Sequence, residues 1–67
     1  MTWNEKEEMK DRLRENLAEH MLRRGEVRSD RERSNPYVCV RMIELDWMGQ
    51  PFLITQVDGL TCRIEKE

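Results

Sequence analysis

The chain has 67 residues, 37% hydrophobic and 39% charged, with a formal net charge of −2. That length holds one domain with a thin core, since so short a chain buries only about 60% of the surface that its unfolded form exposes. The small net charge and interspersed signs exclude a chain held open by self-repulsion, and no apolar run approaches the roughly 20 residues that span a bilayer.

The first predicted element is a helix over about 3–24. Thr2-Trp3-Asn4-Glu5 fits a capping box, with Glu5, Glu7 and Glu8 near the positive end of the helix dipole and Arg23 and Arg24 near the negative end. Leu, Met, Ala, Glu, Lys and Arg dominate its interior, and Gly25 is expected to end it in a left-handed conformation. Met9, Leu13, Leu17 and Met21 recur every fourth residue as an apolar stripe, with Trp3 near its Met21 side and Ala18 and Leu22 off it. Glu8–Arg12 and Glu19–Arg23 are favourable i,i+4 pairs.

Residues 26–36 read as a mobile polar linker. Val27 is the apolar residue of Glu26–Asn35, and Asn35-Pro36 resists helix. A β-meander then follows over about 37–65. Tyr37, Val38, Val40, Ile43, Leu45 and Trp47 give its first strand high β-propensity. Alternation breaks once, so a bulge near Arg41-Met42 is favoured, which would put Val38, Val40, Ile43, Leu45 and Trp47 on one face; the alternative is a strand with two partly covered faces. Met48-Gly49-Gln50-Pro51 is a turn leading to a second strand from Phe52 to Val57, and Asp58-Gly59 signals a two-residue type I′ hairpin. Uninterrupted pairing from that turn sets Val57 opposite Leu60, Thr55 opposite Cys62 and Leu53 opposite Ile64. The expected fold is therefore α+β: one N-terminal amphipathic helix packed on a three-stranded antiparallel meander, in a single domain over 1–67. Its core would be Leu53, Val57, Leu60, Cys62, Ile64, Ile43 and Leu45, leaving Phe52 and Ile54 on the uncovered face.

Catalytic and metal chemistry find little support. Cys39 and Cys62 are too few for a secreted disulfide framework, and on the outer strands of a meander they would stand about 9.6 Å apart, too far for a bridge. With His20 they make a poor metal set lacking any Cys-x-x-Cys or His-x-x-x-His spacing, and His20 has no evident nucleophile or acid beside it. Glu44 and Asp46 alternate as a solvated strand face is expected to. Each glycine is explained by a chain reversal or a helix stop, so no phosphate loop exists. The expectation is no enzyme, no metal and no cofactor.

Two surfaces remain. Trp47, Met48, Phe52 and Ile54, ringed by Arg41, Glu44, Asp46 and Arg63, are expected to dock onto a protein partner. Arg23, Arg24, Arg28, Arg31 and Arg33, with Tyr37 nearby, could contact phosphates, but Glu26, Asp30 and Glu32 interleave and leave that stretch at about +2, a weak field for nucleic acid. The favoured reading is a small binding module acting as an inhibitor, adaptor or regulator of a larger protein, of the kind phages and mobile elements encode. The alternatives are an RNA- or DNA-binding protein and a structural homodimer. With no apolar signal segment, the expected location is cytoplasmic, away from membranes.

Overall fold

The structure, a computed structural model, describes residues 3–67, with side chains from residue 9 onward. The capping box at Thr2 and Glu5, the placement of Trp3 and the Glu8–Arg12 pair lie outside the described residues. Helix α1 (Trp3–Arg24) precedes strands β1 (Glu26–Ser34), β2 (Cys39–Trp47), β3 (Gln50–Val57) and β4 (Leu60–Lys66). The strands form one antiparallel sheet in the order β1-β2-β3-β4, with the helix on one face. The α+β class is as expected, but the sheet has four strands and not three. Residues 26–34, read from their polarity as a linker, are the added edge strand. Side chains at an edge face water on most sides, so their polarity did not oppose strand formation.

The helix ends where expected, for a different reason. Gly25 is absent from the positive-φ residues, and its N–H bonds the Met21 carbonyl at 2.7 Å. A Cβ there would stand 2.7 Å from the Met21 carbonyl oxygen and 2.8 Å from that of Asp46. Gly25 is required because the chain passes from helix to sheet with no room for a side chain. The left-handed glycines are Gly49 (φ 75°) and Gly59 (φ 84°), each preceded by a positive-φ residue, Met48 (φ 53°) and Asp58 (φ 51°). Positive φ at both central residues is the type I′ hairpin signature, as anticipated at Asp58-Gly59.

The core consists of Ala18, Met21, Ile43, Leu45 and Ile54, with Leu22, Trp47, Phe52 and Ile64 partly buried against it. This overturns the expected parity of β3. Val57 does pair with Leu60 and Gln56 with Thr61, but the register then shifts and Thr55 pairs with Arg63, Ile54 with Ile64 and Leu53 with Glu65. Cys62 is the extra residue of a β-bulge, and past it the β4 side chains change face relative to uninterrupted pairing. Ile54 (0% exposed) and Phe52 therefore lie beneath the helix, while Leu53, Val57 and Leu60 face away from it. The second bulge is at Arg28 in β1, between the Val27–Leu45 and Ser29–Glu44 pairs. No bulge occurs at Arg41-Met42: β2 pairs with β3 in one register from Val40 to Trp47. Ile43 and Leu45 face the helix, and Val40 and Met42 the opposite side, so β2 carries apolar residues on both faces, one covered by the helix and one not.

The helix stripe is corrected too. Of Met9, Leu13, Leu17 and Met21, only Met21 is buried, and Leu13 is 65% exposed. The sheet-facing side is centred on Ala18, whose small side chain lets the backbones approach. Residues four apart are offset by about 40° around a helix, so Leu17, Leu13 and Met9 turn progressively away from the side that carries Ala18 and Met21, and all three are exposed. One tie fixes the crossing: the Glu15 carboxylate accepts the backbone N–H of Thr61 and so caps the β4 edge.

The observed parity is testable by comparing neighbours on β3. Ile54→Ala should cost about 2–5 kcal/mol, close to the whole stability of so small a domain, while Leu53→Ala should cost about 1 kcal/mol. Urea melts giving the reverse order would restore the uninterrupted register. Gly25→Ala should lower stability by about 1–3 kcal/mol through overpacking, again read from the urea midpoint.

Candidate functional site: the helix-free face of the sheet

Strand alternation divides the residues around the arginines into two sets. Asp30 and Glu32 pair with Ile43 and Arg41 and share the helix side; Arg31 and Arg33 pair with Met42 and Val40 and share the opposite face. On the helix side the charges satisfy each other. Arg41 donates to Asp30 through Nε at 2.9 Å and Nη2 at 2.5 Å, and this guanidinium holds the Asp30 carboxyl below its usual 3.8. The Cys39 thiol donates to Glu32 at 2.9 Å, and that bond to the carboxylate pushes the thiol pKa up, making it a poorer nucleophile.

The opposite face has two unlike halves. At the Gly25 end, Arg28 lies between Asp46 at 3.2 Å and Glu67 at 3.8 Å, and Glu44 and Leu53 stand opposite each other in the neighbouring row. At the other end, Val40, Val57 and Leu60 form one cross-strand row and Met42 and Thr55 the next. Met42 is 44% exposed and Leu60 65% exposed, and no element covers either row. Arg31, Arg33, Asn35, Val38, Val40 and Met42 line a cleft of about 370 Å³ here. Neither Arg31 nor Arg33 makes an ion pair with the described residues.

Local hydrogen bonds shape the cleft wall. The Asn35 side chain accepts the N–H groups of Tyr37 (2.8 Å) and Val38 (2.9 Å), and the Asn35 N–H donates to the Val38 carbonyl at 2.9 Å. This Asx-type turn joins β1 to β2. Across it, the Cys39 N–H donates to the Asp58 carboxylate at 2.9 Å and the Asp58 N–H to the Cys39 carbonyl at 2.8 Å. The turn beside the cleft is thus tied to the β3–β4 hairpin.

The expected contact sets are largely dispersed. Ile54 is sealed in the core; Phe52 and Trp47 are half-buried under the helix, where Trp47 packs edge-on with His20 (5.9 Å) and Phe52 (6.0 Å). Met48 is exposed at a hairpin tip, Arg41 is held by Asp30, and Asp46 is held by Arg28. Glu44 and Arg63 do lie on the helix-free face, with Arg63 near Glu65 at 3.3 Å. Of the arginine set, Arg23 pairs with Glu19 at 2.6 Å, Arg24 is exposed at the helix end, and only Arg31 and Arg33 share the cleft. Tyr37 is 93% exposed on the turn beside it. Asn35, Val38, Val40, Met42, Val57 and Leu60 were missed as site residues; the shared parity of Val38, Val40 and Met42 was the available signal.

Cys39 is half-buried and Cys62 exposed, both as free thiols. Among the described residues no cluster of three potential ligands could hold a metal, and no helix is long and apolar enough to cross a membrane. No family model matches the chain, and no curated protein or solved structure matches it either.

The Asp30–Arg41 pair gives a signed pH dependence. A carboxylate with a depressed pKa contributes stability that is present above the unfolded value of 3.8 and is lost as pH falls through the folded value. Asp30→Asn should therefore show a shallower loss of urea midpoint than the wild type between about pH 5 and about pH 2. Parallel pH profiles would mean that the pair contributes nothing measurable.

Proposed function

We propose that this protein is a non-catalytic binding module that docks onto a larger protein, as an inhibitor, adaptor or regulator, through the helix-free face of its sheet. The observation that carries this reading is the uncovered apolar row Val40-Val57-Leu60 with Met42 beside it, bordered by arginines. An antiparallel sheet can expose one face to water, but such a face is ordinarily polar. A rigid apolar floor with a charged border is the anatomy of a protein interface, where burial supplies affinity and the border sets orientation. The proposed surface lies on the side of the sheet opposite Phe52 and Ile54.

Mapping of contacts in cells of the source organism tests the reading. A photo-crosslinking residue at Val57 should give a discrete heterologous adduct, and one at Asn16 on the exposed helix surface should not. The Val57 adduct should disappear with Leu60→Asp and survive Leu13→Asp, both variants retaining the wild-type melt. Adducts from Asn16 alone, or an adduct indifferent to Leu60→Asp, would remove this face as the docking surface.

A further inference from the structure

We infer that the Arg31–Arg33 cleft is the anchor point of the docking face, and that it receives a partner segment combining carboxylates with an apolar side chain. The inference rests on the reading of the helix-free face as a protein interface and adds the chemistry of what meets it. Three observations converge.

The first is charge accounting. Arg28, Arg41 and Arg23 each have a carboxylate within the molecule, at 3.2, 2.5 and 2.6 Å, whereas the two arginines of the cleft have none. A guanidinium presents a planar fork of donors that matches a carboxylate in bidentate fashion, so these two are free to pair outside the chain. Successive same-face residues on a strand stand about 6.6 Å apart, which sets two forks side by side.

The second is the floor. Val38, Val40 and Met42 give the cleft apolar walls, and its volume of about 370 Å³ is within the roughly 300–1,000 Å³ range of ligand pockets. The unbranched thioether side chain of Met42 adapts to the shape of an entering group. An inorganic anion would leave this floor unused, and a purely apolar segment would leave the two guanidinium groups without partners.

The third is rigidity. The Asn35 turn and the Cys39–Asp58 bonds fix the wall before any partner arrives, which lowers the ordering cost of binding.

A nucleic acid would satisfy the arginines too, and Tyr37 offers a ring for stacking. A phosphate backbone, however, would leave the apolar floor of Val38, Val40 and Met42 unused, and two arginines are a weak field for a polyanion. An acidic, partly apolar protein segment fits the floor and the forks together.

Nuclear magnetic resonance titration of the full chain provides the test, with three probes: the blocked peptide Glu-Glu-Leu-Leu-Glu-Glu, its counterpart with every Glu replaced by Lys, and a thymidine 12-mer. The acidic peptide should give saturable amide shifts at Val38, Val40 and Met42. Arg31→Glu with Arg33→Glu should weaken this at least about tenfold, and the milder Arg31→Gln with Arg33→Gln should weaken it as well, each with an unchanged melt. Equal shifts from the lysine peptide, shifts centred on Met9, Leu13 and Leu17, an absence of shifts, or tighter binding of the 12-mer would each overturn the inference. If it fails while the Val57 adduct still depends on Leu60, the docking face stands and only its acidic partner is wrong.

Discussion

A strand presents its side chains alternately to two faces, so one parity decides which half of β3 is core. The parity observed puts Ile54 and Phe52 beneath the helix, and it depends on one extra residue in β4. With uninterrupted pairing from the Asp58-Gly59 turn, Ile64 would stand opposite Leu53 and point away from α1. Beyond Thr61, β4 would then offer the helix only Arg63 and Glu65. The bulge at Cys62 shifts Ile64 onto Ile54 and sends Arg63 outward. A local defect in one ladder thus reconciles the hairpin register with the hydrophobic pattern of the strand.

That reconciliation explains what could be read in the residues and what could not. The extent of the helix, the Asp58-Gly59 turn and the core roles of Ile43 and Leu45 are local properties: propensity, positive φ, alternation within one strand. The placement of Leu53 against Ile54 was not local. Both are branched and apolar, and only the partner strand separates them. The expected bulge at Arg41-Met42 forced Val40 onto the same face as Ile43, whereas the strand runs unbroken with apolar residues on both faces. The helix misled for a related reason. Its regular stripe of Met9, Leu13 and Leu17 gives the spacing of a buried face, but a four-residue step drifts about 40° around the helix and carries these residues off the side centred on Ala18 and Met21. Of the candidate site, the arginines and Tyr37 were visible as residue types, but their sorting onto opposite faces required β1 to be a strand.

The charges of β1 also acquire a purpose as a strand edge. Its outer backbone groups are unpaired and form a template on which another copy could build. Asp30 and Glu32 point to one face, Arg31 and Arg33 to the other. If two copies paired antiparallel through this edge with their faces aligned, only same-face residues could stand opposite each other. Across the stretch from 29 to 34, each such register sets acid against acid or arginine against arginine. Like charges directly opposite in a ladder are destabilising. Alternating charge at an edge therefore works against sheet extension by the protein's own copies, while the opposite edge is capped by Glu15.

The same alternation creates the exposed arginines. Holding the acids of β1 on the helix side, where Arg41 and Cys39 engage them, leaves Arg31 and Arg33 on the other face without acids of their own. A solvated sheet face alone would indicate nothing, since one-sided burial is common in antiparallel sheets. What sets this half apart is the contrast with Arg28, which finds two acids within the chain. Two guanidinium groups left unpaired beside an uncovered floor of Val40 and Met42 combine a directional polar contact with burial of apolar surface. Specific interfaces draw affinity and orientation from that combination, and on the described sheet it occurs at the end fastened by Asn35 and Asp58.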